Sequence, residues 1–139
     1  MDDQQPEVAV LVLVAEDQPA VRSVVEDALT EAGFAVIAAS SGDEAMQMFD
    51  AHSAKVQAIV VDIRMGPGPN GWAVARHARE ANPLVVVVYM SGDSAVDWNS
   101  EGVPNSVVLQ KPFSPAQVVT ALATLLNQVP PSAPTKPAA

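Results

Sequence analysis

The chain has no cysteine among its 139 residues, which excludes disulfides, thiolate metal sites and thiol nucleophiles and removes any sign of an oxidising compartment. Basic residues are scarce too. Seven Lys and Arg face sixteen Asp and Glu, for a net charge of −9, and they form no cluster. Such a surface disfavours nucleic acid and anionic membranes as direct partners and leaves other proteins as the expected ones. The acidity has a plain use in solubility as well, and it does not bear on the fold. Long apolar runs are also missing. Residues 8–14 are too short to span a bilayer, and the acidic MDDQQPE before them is unlike a signal peptide, so a cytoplasmic protein is expected.

What the chain does contain is four β-branched and apolar runs, each ending on a polar residue suited to phosphate or metal. Residues 8–14 lead through Ala15 into Glu16 and Asp17, 58–61 into Asp62, 84–90 into Ser91, and 107–109 through Gln110 into Lys111. In an open parallel α/β sheet the carboxyl ends of the strands form the ligand crevice, so these residues converge at one rim. Three carboxylates, a hydroxyl and an ammonium suit phosphoryl transfer. Asp62 is the expected nucleophile, since a carboxylate can attack a phosphoryl group and carry it as an aspartyl phosphate. Glu16 and Asp17 offer hard oxygen ligands to Mg²⁺, an ion that keeps several waters and also reaches phosphoryl oxygens. Without a cation the carboxylates repel, and at least one should titrate above its ordinary value. Lys111 would set a point charge on the transferred group and Ser91 a hydroxyl donor, so catalysis is mainly positioning and charge neutralisation.

Between these runs the chain reads as helices. Val21, Val24, Val25, Ala28, Leu29 and Ala32 share one face, with Pro19 at the start and Gly33 at the end. A short strand over 34–39 precedes Ser41 and Glu44, whose S-x-x-E spacing is that of a capping box opening a helix to about Ala51. A third helix over 72–81 stops at Asn82-Pro83. The apolar run 84–90, with four successive valines, suits a central strand covered on both faces. The segment 94–101 is rich in mediocre helix formers and predicts a short or mobile helix. Ser114 and Pro115 open a last helix whose apolar face is Val118, Val119, Leu122, Leu125, Leu126 and Val129. Five strands alternating with five helices predict a doubly wound parallel α/β sheet with right-handed crossovers. The reading divides the chain into a flexible N-terminus at 1–7, one domain at 8–128 and a disordered Pro/Ala-rich tail at 129–139.

In order, an acidic pair, an acceptor Asp, a Ser and a Lys-Pro resemble the receiver domain of two-component response regulators. The stretches that carry the likeness are VLVAEDQPAVR ending at Arg22, IVVDIRM at 59–65, VVYMSGD at 87–93 and LQKPFSP at 109–115. The resemblance implies a flavodoxin-like fold with strand order 2-1-3-4-5. It implies a histidine kinase or phosphotransfer protein that donates phosphoryl to Asp62, with Mg²⁺ or Mn²⁺ held by Glu16, Asp17, Asp62 and the backbone carbonyl of Arg64. It also implies a cis Lys111–Pro112 bond and a downstream protein read through the face of the fourth helix, fifth strand and fifth helix (α4-β5-α5). Since the tail leads nowhere, the expectation is a stand-alone regulator that relays a signal or acts as a phosphate sink. It would catalyse only its own phosphorylation and dephosphorylation and would not be a conventional enzyme.

Several positions depart from that pattern or admit other readings. Receivers commonly carry Tyr or Phe three residues before the Lys. Here Val108 stands at that place and cannot perform an aromatic rotamer switch, so phosphorylation is expected to act through Ser91 and reorder 92–102. Arg64 and Asp93 flank the route of water to the acceptor and are expected to pair and to modulate dephosphorylation. The loop 66–71 spells G-x-G-x-x-G, but prolines at 67 and 69 remove backbone N–H groups that a dinucleotide site would need. That loop also reads as one residue longer than in receivers. His52 and His77 read as surface residues without a metal-site partner, Tyr89 as a core or partner contact, and Trp98 as partner-facing or half-exposed. Two rivals stand beside the receiver: a degenerate receiver that binds partners without phosphorylation, and a haloacid-dehalogenase-like phosphohydrolase. The second would need an acid two residues after the nucleophile, where this chain has Arg64.

Overall fold

Alternating apolar strands and amphipathic helices build a three-layer sandwich in the computed structural model, which describes residues 9–93 and 97–129. The elements in chain order are β1 (Leu11–Ala15), α1 (Pro19–Glu31), β2 (Ala35–Ala39), α2 (Gly42–Ala51), β3 (Val56–Asp62), α3 (Gly71–Ala81), β4 (Val86–Ser91), α4 (Trp98–Glu101), β5 (Ser106–Gln110) and α5 (Pro115–Gln128). All strand pairs are parallel, in the order β2-β1-β3-β4-β5. This is the doubly wound architecture expected from the alternating pattern and the strand order that the receiver resemblance implied. Residues 1–8, which include the N-terminal segment set apart at 1–7, and residues 130–139 of the expected tail lie outside the described residues, and Val129 caps α5.

Successive strand side chains point to opposite faces, so the sheet carries two cores. On one face Leu13, Ile59, Val61, Val87 and Tyr89 meet Phe49 of α2 and Trp72, Val74 and Ala78 of α3. On the other, Val12, Val14, Val60, Val88 and Met90 meet Val25 and Leu29 of α1 and Val118, Leu122 and Leu125 of α5. β4 is buried along its whole length, as its valine run predicted.

Some boundaries and faces differ from the sequence reading. Leu84 is half exposed and precedes β4, because Asn82 and Pro83 make a turn in which the Asn82 side chain accepts from the Leu84 amide. Val24 also faces solvent, since only Val25 and Leu29 of α1 are fully buried. Ser41 caps α2 by accepting from the Glu44 amide, but Glu44 reaches back to the amide and hydroxyl of Ser40, not of Ser41. The reciprocal capping box is found instead at α5, between Ser114 and Gln117. α4 is a single turn, shorter than the 94–101 segment, whose residues 94–96 lie outside the described set.

Candidate functional site

The register of the parallel strands brings the sequence-predicted residues to one rim. β1 ends at Ala15 and its next residue, Glu16, donates its amide to the Ala39 carbonyl at the end of β2. Asp62 is the last residue of β3 and is paired with Met90, while Ser91 closes β4 opposite Gln110. Lys111 follows directly, its amide donating to the Ser91 carbonyl at 2.7 Å, and its bond to Pro112 is cis as expected. Gly71 lets the start of α3 close on this rim: a Cβ there would meet the Asp62 carbonyl oxygen at 2.6 Å and the Ile63 Cα at 2.8 Å.

Glu16, Asp17 and Asp62 each present a carboxylate oxygen within 4.8 Å of the others. Glu16 is fully buried and Asp62 nearly so, whereas Asp17 is exposed. The Lys111 ammonium lies between the two buried carboxylates, donating to Asp62 Oδ2 at 3.2 Å and Glu16 Oε1 at 3.4 Å. The second Glu16 oxygen accepts from the Gln18 amide at 3.1 Å, and Asp62 Oδ1 accepts from the Arg64 amide at 3.3 Å. Ser91 is buried at the same rim.

The charges here are not balanced. Burial pushes the Glu16 carboxyl up to about 7; the Gln18 hydrogen bond opposes the rise, Asp62 adds to it and Lys111 opposes it. One carboxylate thus titrates high, as the sequence implied. Burial alone would lower the Lys111 ammonium, but Asp62 and Glu16 together outweigh it and hold Lys111 above its usual value. A set of hard carboxylate oxygens at this spacing, two of them buried and only partly compensated by a single ammonium, fits a small divalent cation such as Mg²⁺.

Around the rim, two features bear on access. Ala20, Val21 and Val24 of α1 face Pro112 and Phe113 across an apolar groove of about 410 Å³ that ends at Lys111. On the other side of Asp62, Arg64 and Asp93 form an exposed ion pair at 3.0 Å. The loop between β3 and α3 turns through positive φ at Gly66 and Gly68 and packs on the start of α2, where a Cβ on Gly42 would collide with the Pro69 carbonyl. Its glycines therefore serve backbone turns and close packing.

Other side chains take up positions that the sequence reading missed. Arg22 of α1 donates from Nη1 to the Glu16 carbonyl at 2.9 Å; its signal was a cation near the positive end of a helix, where it needs a specific acceptor. His77 does have an acidic partner, Asp50 of α2 at 2.7 Å, across a sequence gap that no spacing rule covers. Tyr89 is fully buried, its ring 4.6 Å from that of Trp72 and its hydroxyl accepting from the Val103 amide at 3.0 Å. Trp98 is half-buried and donates from its indole to Ser106 Oγ at 2.9 Å, and that hydroxyl donates to the Val103 carbonyl at 2.6 Å. Val108 is half-buried beside Tyr89 in the strand register.

Comparison with known proteins agrees with this geometry. The family model of the response regulator receiver domain matches residues 12–123. A response regulator receiver protein from Sinorhizobium medicae WSM419 is 46% identical, with a TM-score of 0.82 over 86% of this chain and 95% of that one. The Vibrio cholerae chemotaxis protein CheY4, 24% identical, shares the fold with a TM-score of 0.75 over 85% of this chain and 99% of its own. Among curated proteins, the sensor kinase CckA of Brucella abortus is 32% identical over 84% of this chain and 12% of its own length. The probable transcriptional regulator ycf27 of Cyanidium caldarium is 25% identical over 84% of this chain and 46% of its own, so the chain spans less than half of either curated relative.

Proposed function

The chain belongs to the response regulator receiver domain family, and from that premise we propose that it accepts a phosphoryl group on Asp62 and signals through a changed surface. The observation that carries this reading is the Lys111 ammonium held between buried Asp62 and Glu16, beside exposed Asp17. In the transfer, an Asp62 carboxylate oxygen attacks the phosphorus of a phosphohistidine or small phosphodonor. The bond from phosphorus to the donor breaks, and its electron pair leaves with the donor. Lys111 can then follow the charge, from the Asp62 carboxylate to an oxygen of the new phosphoryl group. Ser91, at the same rim, is the hydroxyl to donate to another of those oxygens. Glu16, Asp17, Asp62 and the Arg64 carbonyl would hold Mg²⁺ or Mn²⁺. Such an ion, when bound, neutralises charge on the donor and phosphoryl oxygens and lowers the repulsion between the carboxylates.

Two parts of the surroundings extend the reading. The apolar groove between α1 and Pro112-Phe113 opens next to Lys111, so a donor that brings its phosphohistidine to Asp62 rests on that wall. The histidine kinase or phosphotransfer protein is the donor proposed for it. On the opposite face of the sheet, Tyr89 and Ser91 project from the same side of β4, two residues apart. A pull on Ser91 therefore reaches Tyr89, the Val103 amide and, through Ser106, Trp98 of α4. That chain of contacts is the proposed substitute for the aromatic switch that Val108 lacks, and it leads to a downstream protein on the α4-β5-α5 face.

The test is incubation with Mg²⁺ and acetyl phosphate, followed by intact mass. A phosphoryl adduct on the wild type that disappears in Asp62→Ala supports the proposal. Turnover of phosphomonoesters without an adduct would favour a phosphohydrolase. No adduct from either acetyl phosphate or a cognate kinase would favour a binding module that works without phosphorylation.

A further inference from the structure

Arg22 occupies a place at the rim that the proposed chemistry leaves unexplained. It stands in the first turns of α1, where the helix dipole disfavours a cation, and its guanidinium turns back toward the sheet. Nη1 donates to the backbone carbonyl of Glu16 at 2.9 Å, and Nε lies 3.8 Å from Glu26 one turn further along α1. Its charge also reaches Glu44 at the start of α2, helping to hold that carboxyl below its usual range after the two Ser40 hydrogen bonds. One side chain thereby touches the end of β1 and α1 and bears electrostatically on α2.

The carbonyl it holds belongs to the peptide that joins Glu16 to Asp17. The Glu16 amide is fixed by Ala39, its carbonyl by Arg22 and its carboxylate by Gln18 and Lys111, so every polar group of that residue has a partner. Asp17, by contrast, is exposed, and its position is set by the peptide before it. A net change of ψ at Glu16 would carry its carbonyl off Arg22, redirect the chain at Asp17 and swing the Asp17 carboxylate away from Glu16 and Asp62.

We propose that Arg22 is a positioning residue for the cation site: by clamping the Glu16 carbonyl it fixes the Glu16–Asp17 peptide and keeps Asp17 within ligand distance of Glu16 and Asp62. This rests on the reading of those carboxylates as a Mg²⁺ site. Partners that orient a metal's ligands without touching the metal are commonly worth about ten- to a hundredfold in affinity. Arg22→Met keeps the apolar stem over α1 and removes the donors, and Arg22→Lys restores a charge with a single-point donor.

The experiment titrates MgCl₂ and MnCl₂ into wild type, Arg22→Met, Arg22→Lys and, as a control that removes only the ion pair within α1, Glu26→Gln. Binding is read by calorimetry, melting in EDTA gives metal-free stability, and acetyl phosphate gives the adduct rate at low and at saturating Mg²⁺. Expected is about a tenfold or larger rise in Kd for Arg22→Met, an intermediate value for Arg22→Lys, and wild-type affinity for Glu26→Gln. The adduct rate of Arg22→Met should fall at low Mg²⁺ and recover at saturation. Equal affinity in Arg22→Met and wild type overturns the proposal, as does a loss that Glu26→Gln reproduces. If Arg22→Met does not fold, wild-type affinity in a folded Arg22→Lys overturns it in the same way. A wild type without saturable Mg²⁺ binding overturns the reading beneath it as well, which separates the two failures.

Discussion

Glu16 is buried at the end of β1 with one oxygen toward an ammonium and the other toward a backbone amide, and its carboxyl is raised to about 7 from an ordinary 4.5. The folded state therefore binds a proton at Glu16 that the unfolded state has already lost between those values. By linkage, stability falls as pH rises through this window, the reverse of a carboxylate whose pKa its partners lower. Metal-free protein should lose up to about 3 kcal/mol from this group between pH 4.5 and pH 7, since each pH unit in that window is worth about 1.4 kcal/mol. Glu16→Gln should flatten the slope and be more stable than wild type at pH 8 in EDTA, by urea denaturation. An unchanged slope would mean that the carboxyl is not raised. Arg64 and Asp93, a fully formed but exposed pair, belong to a different regime. Their loss should cost less than about 1 kcal/mol, yet if they flank the path of water, Arg64→Ala and Asp93→Ala should each change the lifetime of the phosphoryl adduct severalfold. Decay of the adduct mass would show it, and equal lifetimes would remove both residues from that role.

At the scale of elements, the single turn of α4 is held from beneath. Trp98 donates into β5 through Ser106, Gly102 donates to the Trp98 carbonyl, and Val103 donates to Tyr89 of β4. A Cβ on Gly102 would press into the Trp98 indole, so glycine is what lets the chain pass this closely. Tyr89→Phe removes the acceptor of the Val103 amide and should cost about 1–3 kcal/mol. It should also speed amide exchange at Val103 and through α4. In the wild type, a phosphoryl mimic should alter exchange over the same residues, and unchanged protection there would disconnect β4 from the readout. The loop between β3 and α3 has a seat of its own. It is seated on α2 by Pro69 and Gly42, which fixes its conformation.

For the whole molecule, the alternation of strands and helices and the rim could be read from the chain because both depend on local pattern, whereas the strand order came only with the receiver resemblance. Each strand run ends on its own predicted site residue, and the parallel register does the gathering of Glu16, Asp62, Ser91 and Lys111. Contacts between elements far apart in sequence were not legible. His77 with Asp50, Arg79 with the carbonyls of Val85, Pro104 and Asn105, and Tyr89 with Val103 join positions that no periodicity relates, and they depend on how helices settle on the sheet. Local chemistry also misled where two donors competed, since Glu44 chose Ser40 over the adjacent Ser41. One prediction belongs to the molecule as a whole. A ligand that binds only the folded state stabilises by about 2.7 kcal/mol at a hundred times its Kd. Because protonated Glu16 competes with a cation, added Mg²⁺ should raise the melting temperature more at pH 8 than at pH 6, with proton release on binding. Equal shifts at the two pH values would place Glu16 outside the cation site.

The alternation of β4 has a further consequence. Met90 points toward α1 and α5, while Tyr89, one residue earlier, points toward α2, α3 and the turn of α4. The sheet is thus a partition with one room on each side, and the groove beside Lys111 opens from one room while Trp98 stands in the other. Under the proposed function, a visitor delivering phosphate and a listener waiting for it need not share a doorway, and the news can leave before the messenger does.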